Sequence, residues 1–257
     1  MEISDHDEVR AVLADPAFVV PPVPLIGSPV GIAWLRAHVS RFSSGAEHDR
    51  RRALAVGAIA QLDPGELRRA ARVGAAAALQ DDGPVGSVPV ETLAAALGLP
   101  PGLASDVATA AAAYQPHLVA DIGAADDAVA RLVEACGGVP DEATAMRISL
   151  LVQACAATAA LIGSAQLRDD LSASVDELLA DTLRNDPPVP TTRRVASSAA
   201  RIGAAAIAPG TIVTLDLTSD HDADLQFGSG LRPCPGRAQA LALAAGVLEA
   251  VRDKPEG

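Results

Sequence analysis

A mainly α fold with a small β-hairpin region is what this sequence predicts, and three observations carry the prediction. Hydrophobic residues make up 49% of the chain and aromatic residues only 2%, so the interior must pack through Ala, Leu and Val. Those three recur at helical spacing over most of the length. Alternating apolar residues occur in one place, Arg201-Ile202-Gly203 followed by Ile207 to Leu215, where they surround Pro209-Gly210 and predict a hairpin. With 257 residues the chain is long enough to bury a sizeable core, and residues 1–257 read as a single domain.

Taken in order, Asp5 to Pro16 predicts a short helix stopped by its proline. Phe18 to Pro29 is Pro-rich and reads as extended or looped. Ala33 to Gln61 predicts a helix carrying the charged run Glu47 to Arg52. Residues 63–145 read as helices broken at Asp81-Asp82-Gly83-Pro84, Pro100-Pro101-Gly102 and Gly137-Gly138-Val139-Pro140, with no residue constellation that suggests chemistry. Ile148 to Leu167 is uncharged, but Ser149, Gln153, Thr158, Ser164 and Gln166 are too polar for a bilayer span, so it predicts a buried central helix. Thr191 to Ala196 predicts a strand start. Arg237 to Ala245, rich in strong helix formers, predicts a helix beginning near Pro235.

Charge and cysteine usage narrow the function classes. A net charge of −12 and a single lysine, Lys254, argue against nucleic acid or an anionic membrane as partner. Three cysteines without a pairing pattern point to a reducing, cytoplasmic compartment. The charged N-terminus is no secretory signal.

The most informative segment is Phe227-Gly228-Ser229-Gly230-Leu231-Arg232-Pro233-Cys234-Pro235-Gly236. It fits F-x-x-G-x-R-x-C-x-G at every fixed position, and it leads into a helix. A thiol near neutral pH is mostly protonated, so a thiolate here needs a metal, with help from free N–H groups at the helix start. Taken alone, Cys234 reads as an ordinary buried thiol, as Cys136 and Cys155 do. The full pattern resembles the haem-thiolate loop of cytochromes P450, in which the cysteine is the axial ligand of iron. Pro235 lacks an N–H, so one donor to the sulfur is missing.

Other segments extend the resemblance. His48 and Arg52 are four apart on one helix face, a spacing that bacterial P450s direct at a haem propionate; the plainer reading is a solvated basic face. Arg194, in Arg193-Arg194-Val195-Ala196, and Arg232 match the family's other propionate-binding positions. Phe227, Gly230 and Gly236 match fixed positions of the loop, its glycines being expected to let the backbone approach the macrocycle. Asp181-Thr182-Leu183-Arg184 resembles the E-x-x-R pair that supports the loop, with Asp181 expected to grip Arg184.

The central helix resembles the one that crosses the haem, where monooxygenases place an acid followed by a threonine. Two registers are open. One puts Ala156 and Ala157 at the acid–alcohol pair; the other puts Ala157 at the acid and Thr158 at the alcohol. Both lose the carboxylate, and Thr158 either moves protons or bonds its own helix carbonyl. The comparison also implies a P450-like fold truncated at the N-terminus, the meander and the C-terminus. It implies haem b (iron protoporphyrin IX), a small organic substrate, and a ferredoxin-type electron donor or a partner enzyme. The implied activity is that of a haem-dependent oxidoreductase, monooxygenase or peroxide-using; a catalytically inactive scaffold of the same descent is the rival expectation.

Overall fold

The computed structural model describes residues 1–23, 28–117, 119–168, 172–218 and 225–254. Parts of two stretches read from sequence, 24–27 in Phe18 to Pro29 and 219–224 before Phe227, lie outside the described residues. The chain opens with β1 (Glu2–Ile3), α1 (His6–Ala14) and β2 (Phe18–Val19). Asp5 caps α1 by accepting from the Glu8 N–H at 3.0 Å, and Asp15-Pro16 ends it.

The single helix expected over Ala33 to Gln61 is instead α2 (Ile32–Ala37), a 3-10 turn at Ser40–Phe42, and α3 (Gly45–Ile59). The break falls at Ser43-Ser44-Gly45. Gly45 has φ +59°, which a right-handed helix cannot continue through, and the Ser43 hydroxyl donates to the Val39 carbonyl at 2.6 Å.

Next come α4 (Pro64–Gln80), α5 (Val88–Ala96), α6 (Ala104–Tyr114), α7 (Ile122–Ala135), the long α8 (Glu142–Arg168) and α9 (Val175–Asn185). Asp63, Asp121 and the Ser174–Glu177 capping box start α4, α7 and α9 respectively. After the strands, α10 (Arg237–Arg252) packs closely on α4. Small residues permit that approach: Ala71, Ala75, Ala244 and Ala245 are buried, and a Cβ on Gly246 would collide with the Arg68 carbonyl.

At 27 residues α8 is long and apolar enough to cross a membrane by length and composition. Here it is a core helix, packed against α3, α5, α6, α7, α9 and α10. Ile148, Leu151, Leu161, Ile162 and Ala165 form its buried stripe.

The expected hairpin around Pro209-Gly210 is not what forms. β4 (Ala200–Ile202) pairs with β5 (Ala205–Ile207) around Gly203, which supplies φ +53° for the tight turn. The Pro209-Gly210 turn then delivers β6 (Ile212–Asp216) to a different sheet, antiparallel to β3 (Thr191–Ala196). That sheet has the order β1-β6-β3-β2, with β1 parallel to β6. Alternation along β3 buries Arg194 and Ala196 and exposes Arg193.

Two apolar clusters result. The large one joins α2 and α4 to α10; the small one packs α1 onto the sheet through Val9, Leu13, Phe18, Val213 and Leu215. The Cys234 loop runs between them, with Leu225 in the small cluster and Phe227 packed against the large one.

Candidate functional site

The loop is shaped by contacts that its motif does not announce. Gly228 and Gly230 have φ +71° and +64°, so both need glycine for the turn. Gly230 also abuts α1: a Cβ there would collide with the Leu13 carbonyl, which accepts from the Leu231 N–H at 3.2 Å. Glycine at this position thus seats the loop on α1, a different reason from the macrocycle approach expected above. Gly236 has room for a Cβ, meeting only Ile59 at 3.6 Å, and serves as the N-cap of α10. The Cys234 N–H donates to the Phe227 carbonyl at 2.6 Å, closing the loop. The Phe227 ring carries the Arg237 guanidinium at 5.2 Å.

Cys234 is exposed, yet desolvation by surrounding protein is the main influence on its thiol and pushes its pKa up. The Gly236 N–H and then the charges of Arg52, Arg41 and Arg237 pull the other way. The thiol is thus protonated at neutral pH until a metal displaces the proton.

The predicted cations converge on this loop. Arg52 donates to the Pro233 carbonyl at 2.6 Å, one residue from the sulfur. Arg232 reaches the Ser43 carbonyl at 2.7 Å and the Ser40 carbonyl at 3.4 Å. His48 is buried and meets Asp49 through Nδ1 at 3.0 Å; burial lowers its pKa, so at neutral pH it is a neutral donor and not a further cation. Arg194, 9% exposed, finds among the described residues the Arg193 carbonyl at 2.8 Å and the Thr192 hydroxyl at 3.2 Å and no carboxylate. Burial, then the charges of Arg232 and Arg41, press its pKa down to about 10, so it stays charged.

Three residues escaped the sequence reading. Arg41, on the 3-10 turn, lies against the Gln115 side-chain amide and, with that amide turned so that its oxygen faces the guanidinium, donates to it at 2.9 and 3.2 Å. Ser43 links the loop to the start of α8: it accepts from Arg51 at 2.5 Å, and Arg51 and Arg50 both bond Glu142. The Gln226 amide is buried with no partner for either polar atom, alone in this among the described residues. Arg41 and Gln226 have no local signal, since Gln115 is remote in sequence and Gln226 meets no partner, and the Ser43 link depends on how α3 packs on α8.

Two expected features are placed differently. Asp181 does not grip Arg184. It accepts from Arg168, at the end of α8, at 2.9 Å and from Asn185 at 2.8 Å, while Arg184 is exposed without a partner among the described residues. Thr158 lies on the buried stripe of α8, 3% exposed, whereas Ala156 and Ala160 are on the exposed side. Its hydroxyl makes no bond to a helix carbonyl, unlike Thr182, which bonds Leu178 at 2.8 Å.

The residues present suit a haem. The group has a flat apolar body, one open axial position and two carboxylates. The site offers one exposed thiol for the iron and, for the carboxylates, four arginines that lack carboxylate partners among the described residues. No known family model matches the chain, and no curated protein matches it. Solved structures do. Epothilone B-bound cytochrome P450epoK superposes with a TM-score of 0.79 at 17% identity, covering 97% of this chain and 83% of that one. P450BioI in complex with hexadec-9Z-enoic acid ligated acyl carrier protein gives 0.73 at 18% identity, with the same coverage of 97% and 83%. Open cytochrome P450 EryK from S. erythraea gives 0.72 at 19%, covering 97% and 81%. The chain has the cytochrome P450 fold.

Proposed function

We propose that this chain is a haem-thiolate protein that oxidises a small organic molecule, by monooxygenation or with peroxide, in specialised metabolism of the cytoplasm. One observation carries the reading: a buried, charged Arg194 clusters with Arg41 and Arg232, Arg52 and Arg41 act on the exposed Cys234 thiol, and none of these four arginines forms an ion pair with a carboxylate among the described residues. Charges so placed are costly unless an anion arrives, and the two propionates of haem b are such anions. Cys234 would be the axial ligand, with Arg52, Arg194, Arg232 and neutral His48 on the propionates. Phe227 would fix the loop's approach to the helical core, and Gly230 and Gly236 its turn and helix start.

Haem bound through a thiolate supplies oxidising chemistry at its iron. The chain's own residues set the proton supply. Between Ser149 and Leu167 α8 carries no carboxylate, so no side-chain acid of that segment delivers a proton. Thr158, whose hydroxyl has no helix-carbonyl bond, is the proposed proton-holding group. A ferredoxin-type donor is the proposed electron source.

A second reading, an inactive P450-derived protein that binds a partner enzyme, is favoured by the open Asp181–Arg184 pair and by the absence of a carboxylate between Ser149 and Leu167 of α8. One measurement separates the two. Reduced protein under carbon monoxide is expected to show the red-shifted Soret band of thiolate-ligated iron. Cys234→Ala should abolish the band, while Cys136→Ala and Cys155→Ala leave it. A colourless protein that does not respond to added haem favours the partner-binding reading.

A further inference from the structure

Arg41 stands among like charges and forms no ion pair with a carboxylate among the described residues. It lies on the turn Ser40–Phe42, between the Ser40 and Ser43 carbonyls on which Arg232 is anchored. Its guanidinium faces the neutral Gln115 amide at the end of α6, whose oxygen accepts from it once the amide is turned over, and rests 5.8 Å from the Phe42 ring centroid. Phe42 in turn packs edge-on against the buried Tyr114 ring at 5.1 Å, so the platform is rigid. The charge of Arg41 is felt at Arg194, Arg232 and Cys234 alike, which puts it within reach of the whole cluster. An amide orients a guanidinium but cancels none of its charge. A fourth arginine so oriented has a use only if an anion sits in front of it.

Resting on the haem reading above, we propose that Arg41, held by Gln115, is a further cation of the propionate site and contacts a haem carboxylate. The family motifs carry no position for it, because it comes from the turn before α3 and its holder comes from α6.

The test is haem dissociation from the loaded full-length protein, followed by transfer of haem to an excess of apomyoglobin. Arg41→Ala is expected to speed haem loss about tenfold, the effect of removing one charge-assisted hydrogen bond, and Arg41→Lys to restore part of it. Gln115→Leu, which keeps the cation but frees it, should fall between. With iron protoporphyrin dimethyl ester, whose carboxylates are neutralised, wild type and Arg41→Ala should lose the porphyrin at the same rate. An equal acceleration with both porphyrins means a packing defect and overturns the proposal, as does an unchanged rate with haem. If Arg41→Ala does not fold, judged by circular dichroism, the lysine and Gln115→Leu variants decide it by the same comparison. Wild type that never takes up haem overturns the haem reading itself, an outcome distinct from the others.

Discussion

Across the contact of α4 with α9 and α10, Arg68 donates to both Asp176 and Glu249, and Arg72 to Asp253. Around Cys234, by contrast, Arg52, Arg194 and Arg232 donate to main-chain carbonyls, and Arg41 to an amide. The first set is complete in the folded chain. The second is short of negative charge, and Arg194 is buried while being so. A guanidinium opposite a carboxylate serves the fold alone. A buried one held only by neutral oxygens costs the fold stability, and a ligand that supplies an anion would offset that cost.

The sharpest way to break this contrast is Arg194→Leu. Without haem, the variant should be more stable by about 1–2 kcal/mol in urea unfolding, because an unpaired buried cation is gone. Its haem affinity, read by Soret titration, should fall about a hundredfold. A loss of stability in the haem-free protein would mean that Arg194 is structural, like Arg68.

Gly230→Ala comes next. Its positive φ and the approach of the Leu13 carbonyl should together cost about 2–3 kcal/mol, whereas Gly236→Ala, with open space at its Cβ, should stay within about 0.5 kcal/mol. Equal effects would show that the loop is not seated on α1.

Arg68→Ala samples the complete set. Its partners are partly exposed, so the loss should be about 1 kcal/mol, with haem affinity untouched.

The smallest effect is a pH dependence. Hydrogen bonds from Arg50, then Arg51, hold the Glu142 pKa down at about 2 against an ordinary 4.5. A depressed carboxylate stabilises the fold above its unfolded pKa, and the contribution fades as pH falls through the folded value. The melting-temperature gap between wild type and Glu142→Gln should therefore be constant above pH 4.5 and close toward pH 2. A gap that persists at pH 2 would place its origin in packing.

Much of the site was legible because its geometry is local. The four-residue spacing of His48 and Arg52 puts both on one helix face wherever that helix packs, and both do approach the Cys234 loop. Alternation on β3 likewise turns Arg194 inward. Asp181 and Arg184 show the limit of such spacing rules. The pair is within reach, but Arg168 arrives from the end of α8 and takes the carboxylate. The break of Ala33 to Gln61 was missed for a similar reason. Helical composition spans it, and only the Gly45 backbone reveals the turn.

By itself the sequence determined the helices, the cysteine loop and its flanking cations, since each rests on backbone propensity or on residues within one or two turns. Tertiary structure alone decided which arginines meet a carboxylate, why Gly230 must be glycine, and that Arg41 and Gln115 stand beside the loop. Those outcomes depend on electrostatics and steric contact between segments far apart in the chain. Neither acts until the backbone has folded.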